Sequence, residues 1–240
     1  MEIRLLTSQE DKQRTISLYR QAFSDPEEYI DYYYKERCRD NRIMAACEGE
    51  RVLSMIQLNP YRMLIDGREW QLHYLVAGAT EKAVRHKGYY RAVIESAVSL
   101  LAGEGEPFCY LMPSSEELYQ KLGFSVICEF DKNRERSKQE LEQYFDIYCV
   151  RDEAYEKRMK AEKELEAVLK ELEEKKAADA SAISEALAEE RTGFPENPVI
   201  MAHIADKESF ARMSGVPPQA DDMERFAWLQ QKRICISEDT

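Results

Sequence analysis

The chain has 240 residues, 44% of them hydrophobic, and carries 34 Lys and Arg against 46 Asp and Glu, a formal net charge of −12. That apolar content at this length builds a core and excludes a disordered protein, while the acidic balance argues against nucleic-acid and membrane partners, which need basic surface. Six cysteines (Cys38, Cys47, Cys109, Cys128, Cys149, Cys235) stand in no CxxC or zinc-ligand spacing, so a reduced, cytoplasmic protein without a metal is expected. Met1-Glu2-Ile3-Arg4 has no apolar signal core, and no run of about 18 apolar residues offers a membrane span.

Ile3 to Leu6 reads as a strand, and Thr7 with Glu10 as a capping box opening a helix on which Ile16, Tyr19 and Phe23 recur at helical spacing. Ser24-Asp25-Pro26-Glu27-Glu28 starts a second helix, with Pro26 in its first turn and an aromatic surface of Tyr29, Tyr32, Tyr33 and Tyr34. Strand-like runs follow at Ile43–Cys47, Val52–Leu58, Met63–Ile65 and Trp70–Ala79, punctuated by Glu48-Gly49-Glu50-Arg51 and Asp66-Gly67, an antiparallel meander. Tyr89 to Ala102 is an amphipathic helix through Val93, Ile94, Ala97, Leu100 and Leu101, ended by Gly103 and Gly105. Phe108–Met112 is a strand, Pro113 to Glu117 caps a short helix stopped by Gly123, and Phe124–Phe130 is a further strand. This order predicts a mixed α/β sheet with helices on its faces.

Charge rises from Asp131 to Lys138, which places a boundary between residues 1–133 and a helix-rich part, 134–240. The second part reads as a strand at Phe145–Val150 and a long charged helix over Arg151–Glu190 with a break near Asp179. The seam of Leu165, Val168 and Leu172 on that helix is too short for a coiled coil. A linker at 193–198, a strand at Val199–Ile204, helical turns at Lys207–Met213 and Asp222–Gln231 and a strand at Arg233–Ile236 complete the chain.

The segment Val76 to Arg91 is an apolar strand running into a basic, glycine-bearing turn that opens a helix. N–H groups at a helix start lack intrahelical partners and sit at the positive end of the dipole, so they favour a pyrophosphate. Gly88 permits close approach, and Arg85 and Lys87 add positive charge.

With Tyr119-x-x-x-Gly123-Phe124, the turn Arg85-x-x-Gly88-x-Tyr90 resembles the GCN5-related N-acetyltransferases, and more narrowly their enhanced-intracellular-survival (Eis) type. Two departures are visible. Tyr90 stands where the superfamily commonly has a small residue, although the Eis type commonly has a larger one, and the roughly 110 residues after the boundary fall short of the two further domains Eis-type proteins usually carry. The reading is a shortened relative.

The resemblance implies acetyl-CoA as acetyl donor, with Gly78, Ala79 and Thr80 meeting the pantetheine arm, Arg85, His86, Lys87, Gly88, Tyr89, Tyr90 and Arg91 around the pyrophosphate, and Ser114 and Ser115 touching the cofactor. It implies Tyr119 as the acid that protonates the leaving thiolate and the terminal carboxylate of Thr240 as base; Glu69 and His73 are alternative bases, and His203 is given no role. The tyrosines at 29 and 32 to 34 are candidates for a cation-binding acceptor pocket, or for an ordinary buried face.

The function expected is direct acetyl transfer to a primary amine of a small molecule or peptide, in a ternary complex. The alternatives are a non-catalytic acyl-CoA-binding or regulatory module and an oligomerising structural protein. Homo-oligomer formation stays open.

Overall fold

The computed structural model describes residues 1–133, 136–180 and 197–237. Its described strands are β1 (Glu2–Leu6), β2 (Arg42–Glu48), β3 (Arg51–Ile65), β4 (Arg68–Thr80), β5 (Phe108–Leu111), β6 (Ser125–Glu129), β7 (Ile147–Cys149), β8 (Val199–Ile204) and β9 (Ile234–Cys235). They form one mixed sheet in the order β1-β2-β3-β4-β5-β8-β6, with β7 joining β3 to β9 off that path. Pairing is antiparallel from β1 to β4, parallel between β4 and β5, and antiparallel from β5 through β8 to β6.

The first helices are α1 (Gln9–Gln13), α2 (Ile16–Ala22) and α3 (Glu27–Glu36), and α4 (Tyr89–Gly103) follows β4. Ser8, not Thr7, caps α1: its hydroxyl accepts the Asp11 N–H at 3.1 Å. In β2, Ile43, Ala45 and Cys47 face α2 and α3, while Met44 and Ala46 belong to the core that includes Val93, Ile94 and Ala97 of α4. Helices on both sides explain why β2 reads as a continuous apolar run rather than an alternating one.

The two runs expected at Val52–Leu58 and Met63–Ile65 are a single strand, β3, that continues through Pro60. Proline is tolerated there because β2 stops pairing at Leu58 and β7 starts only at Met63, leaving that edge of β3 without a ladder in between. On the β4 side, Pro60 lies opposite His73, whose own N–H donates to Glu106 at 2.7 Å.

Beyond β5 come α5 (Glu116–Gln120), α6 (Lys138–Tyr144), α7 (Glu153–Ala180), α8 (Lys207–Ser214) and α9 (Asp222–Gln230). Helix α6 is absent from the sequence reading, although Ser137 and Glu140 form a capping box at its start. Helix α7 runs unbroken past Asp179 to Ala180; the rest of the expected helix, 181–190, and residues 193–196 of the expected linker lie outside the described residues. It is anchored near its start by Arg37, which donates to Glu162 at 2.9 Å, and by the Arg158 guanidinium over the Tyr61 ring. Along the expected seam, Leu165 is half-buried and Val168 is 52% exposed.

The division expected at residue 133 is crossed by the sheet itself. Strand β8 lies between β5 and β6, and Ile200, Met201, Phe210 and Leu229 share one core with Val93, Phe108 and Phe124.

Strand β9 is held by Asp146, whose carboxylate accepts the Arg233 N–H at 2.9 Å and its Nη2 at 2.6 Å. These bonds pull the Asp146 carboxyl down to about 2 from an ordinary 3.8. A group whose folded pKa lies below its unfolded value stabilises above the unfolded pKa and loses that contribution as pH falls through the folded one. Asp146→Asn is therefore expected to unfold at lower temperature than the parent at pH 7, with the gap closing between about pH 4 and pH 2, as thermal melts at stepped pH will show.

Candidate active site

Strands β4 and β5 run parallel but share a single pair, Tyr74 with Tyr110, among the described residues. Past it they are unpaired with each other, and β4 bulges on its other side. Val76 faces Gln57 and Ala79 faces Met55, so Ala77 and Gly78 oppose Ile56 alone, with Ala77 in the left-handed region at φ 52°. Beyond Tyr74, β4 has no partner on the β5 side among the described residues, so there is an opening in the ladder where its backbone groups lack a strand partner.

At the end of β4, Thr80 shares a hydrogen bond with Ser54 at 2.8 Å, and its carbonyl accepts Arg85 Nε at 3.1 Å. His86 (φ 63°) and Gly88 (φ 85°) are both left-handed, which turns the chain sharply into α4. The first ladder bond runs from the Ala92 N–H to the Gly88 carbonyl at 3.0 Å, so the N–H groups of Tyr89, Tyr90 and Arg91 have no intrahelical acceptor. Arg85, His86, Lys87 and Gly88 are exposed, and Lys87 Nζ donates to the Ala83 carbonyl at 3.0 Å. An anion at this turn would meet those free N–H groups.

The side chains of Tyr89, Tyr90 and Arg91 point away from the turn. Tyr89 points back to β2, donating to Glu48 at 3.1 Å, and Arg91 reaches Glu95 and the Lys121 carbonyl, both at 3.4 Å. Tyr90 turns inward. Its hydroxyl lies so close over Gly78 that a Cβ at position 78 would overlap it, and its Oη is 2.6 Å from that of Tyr119.

Tyr119 is held by the end of α5. Ser115 caps the start by accepting the Leu118 N–H at 3.4 Å, while Ser114 is exposed beside it. At the other end the Phe124 N–H returns to the Tyr119 carbonyl and the Gly123 N–H to that of Gln120, both at 3.0 Å, with Gly123 at φ 86°. That is a Schellman cap, completed by the Tyr119–Phe124 ring contact at 5.6 Å. The Tyr-x-x-x-Gly-Phe spacing is thus the register at which one glycine ends the helix and the following aromatic clamps the tyrosine. Burial pushes the hydroxyls of both Tyr119 and Tyr90 up, so both are protonated at neutral pH.

His203, given no role from the sequence, lies beneath this cap. A Cβ on Gly123 would come within 2.9 Å of its Nε2, and its ring meets Phe124 edge-on at 5.1 Å. Burial lowers its pKa, against the contact of Nδ1 with the Ile204 carbonyl at 2.8 Å, which raises it. Only its arrival on β8, between β5 and β6, brings it there; no local signal marks it.

The alternative bases are not brought to the opening. Glu69 lies nine residues before Gly78 on β4, ~30 Å away at ~3.3 Å per residue, and is paired with Arg62 at 2.8 Å. His73 is ~17 Å away by the same rise and is locked between Glu106 Oε2 at 2.6 Å and Arg42 Nη2 at 3.2 Å. Thr240 lies outside the described residues.

Of the four tyrosines, Tyr33 and Tyr34 are core: their hydroxyls meet Gln57 at 3.1 Å and Thr15 at 2.8 Å. Tyr29 and Tyr32 are half-buried, and Tyr29 stacks on Tyr33 at 5.9 Å. Tyr29, Tyr33 and Tyr34, but not Tyr32, share a cluster with Ala77 and Ala79 of the β4 bulge, and Tyr19 in it donates to Asp25 at 2.7 Å.

Residues 2–127, more than half of the chain, match the family model of the acetyltransferase (GNAT) domain. The chain belongs to the GNAT acetyltransferase family. No curated protein matches it. Among solved structures it is similar to Eis1 from Mycobacterium abscessus, at 14% identity and a TM-score of 0.51 over 67% of this chain and 48% of that one. A GCN5-related N-acetyltransferase from Anabaena variabilis matches at 18% identity and a TM-score of 0.47, over 53% of this chain and 33% of that one. A GNAT family acetyltransferase from Brucella melitensis, solved in complex with acetyl-CoA, matches at 20% identity and a TM-score of 0.41, over 52% and 84%. The GNAT chain thus spans about a third of the Anabaena protein and about half of Eis1. The Eis1 likeness bears on the fold alone. No helix among the described residues is long and apolar enough to cross a membrane.

Proposed function

We propose that this GNAT protein is an Eis-type N-acetyltransferase that moves the acetyl group of acetyl-CoA directly to a primary amine. The observation that carries the reading is the buried hydroxyl of Tyr119, held by its own helix cap and linked through Tyr90 to the β4 bulge at Gly78. A proton donor, an opening along β4 and a helix start with free N–H groups then lie along one path.

The residues fit the donor: the bulge offers unladdered backbone, and Gly88, Tyr89 and Tyr90 offer the helix start for the pyrophosphate, with Arg85 and Lys87 nearby. Acetyl-CoA supplies an acetyl group on a thioester. As the amine nitrogen forms the C–N bond and the C–S bond breaks, the sulfur takes the phenolic proton of Tyr119. The proton shed by the nitrogen leaves through a base, for which the Eis resemblance offers the terminal carboxylate of Thr240, and returns to Tyr119 through solvent.

Tyr29, half-buried against the cluster that holds Ala77 and Ala79 of the bulge, with the Asp25 carboxylate nearby, suits a cationic amine before it deprotonates. Calorimetry with acetyl-CoA tests the donor site. Saturable one-to-one binding, weakened at least ~10-fold when Gly88→Val forces a β-branched residue into a left-handed turn, is expected. Binding that ignores the substitution would remove the turn from the site.

A further inference from the structure

Tyr90 occupies the position where the superfamily motif commonly has a small residue, and the surrounding structure is shaped around it. Gly78 leaves the space its hydroxyl fills, and its ring meets Tyr119 edge-on at 6.2 Å. Among the described residues, the Tyr119 hydroxyl has one hydrogen-bond partner, Tyr90, at 2.6 Å.

The contact alone admits either donor, and the chemistry selects one. Tyr119 must aim its own proton at the leaving sulfur, so the hydrogen between the two oxygens comes from Tyr90. The 2.6 Å O–H···O contact is an ordinary bond between two hydroxyls and is close enough to become a charge-assisted one when Tyr119 gives up its proton. Tyr119 is 6% exposed, and a bare phenolate there would be poorly solvated. We infer that Tyr90 is a positioning residue for the acid: its hydroxyl donates to Tyr119 Oη, directs the Tyr119 proton toward the sulfur and stabilises the phenolate left behind.

Tyr90 keeps its own proton throughout, and Tyr119 regains the one the amine nitrogen has shed. The directions of titration agree, since the Tyr90 contact lowers the Tyr119 pKa while Tyr119 raises that of Tyr90, although burial raises both. The inference rests on the reading of Tyr119 as the acid.

The test is a double-mutant cycle in the full chain with Tyr90→Phe, Tyr119→Phe and both together. Acetyl-CoA affinity is read by calorimetry, and thiol release is read at saturating acetyl-CoA with water, a polyamine, an aminoglycoside or a lysine peptide as acceptor. Tyr90→Phe is expected to hold affinity within about 2-fold and to slow release ~10–100-fold, and the double variant to be no slower than Tyr119→Phe alone. Tyr90→Leu, also without a hydroxyl, replaces it if Tyr90→Phe fails to fold. Losses that multiply in the double variant, or weaker binding with unchanged turnover, overturn the inference. If Tyr119→Phe turns over like the parent, or the parent releases no thiol, the acid reading fails as well. If Tyr119→Phe is slow and Tyr90→Phe is not, the role of Tyr90 alone fails.

Discussion

Tyr119→Phe is expected to slow amine-dependent thiol release by ~10²–10⁴-fold, the range for loss of a general acid, while leaving acetyl-CoA affinity nearly unchanged. The Phe124 contact at 5.6 Å and the backbone cap are independent of the hydroxyl, so the ring keeps its place. What is lost is one proton donor, and with it the partner of Tyr90 at 2.6 Å. Leaving that buried hydroxyl unpaired costs ~1–3 kcal/mol, a modest fall in melting temperature that a thermal scan separates from the fall in rate. A variant that binds acetyl-CoA, stays folded and still turns over at the parent rate would place the acid elsewhere.

The second large effect concerns the chain after residue 133. A protein ending there loses β8, whose Ile200, Met201 and Ile204 are at most 6% exposed. Burying three such side chains is worth ~5–9 kcal/mol, comparable with the whole stability of a typical domain. The truncation also bares the edge of β5 from Phe108 to Leu111, four fully buried residues that pair with β8 from Ile204 to Met201. Residues 1–133 alone are therefore expected to show no cooperative thermal unfolding and to aggregate. A sharp transition by circular dichroism from that fragment would contradict the shared sheet and restore two separable units.

The helices and strands around the opening were legible because their signals are local: Gly88 and Gly123 at left-handed positions, Ser115 as a cap, and the alternation of period in Val93, Ile94 and Ala97. Strand β8 was also legible as a strand, from Val199 to Ile204. Its destination was not, because insertion between β5 and β6 is a pairing across about 70 residues of chain to β6 and about 90 to β5 that leaves no mark in its own composition. Helix α6 was missed since its capping box sits in a charged stretch that reads as a linker. For the site, sequence located Tyr119 and the turn, and it singled out Tyr90 as a departure from the motif. It gave no sign that Tyr90 reaches Tyr119, which depends on the missing Cβ at Gly78, a strand residue on the far side of the turn. The same reasoning explains Glu69 and His73, whose residue types suit a base while their register on β4 holds them away from the bulge.

The most direct test of the proposed chemistry is release of free CoA thiol by the full chain given acetyl-CoA and a panel of polyamines, aminoglycosides and lysine peptides. Amine-dependent release that collapses in Tyr119→Phe is the expected result. Saturable acetyl-CoA binding with no release on any amine would contradict it and leave a non-catalytic acyl-CoA-binding module in its place.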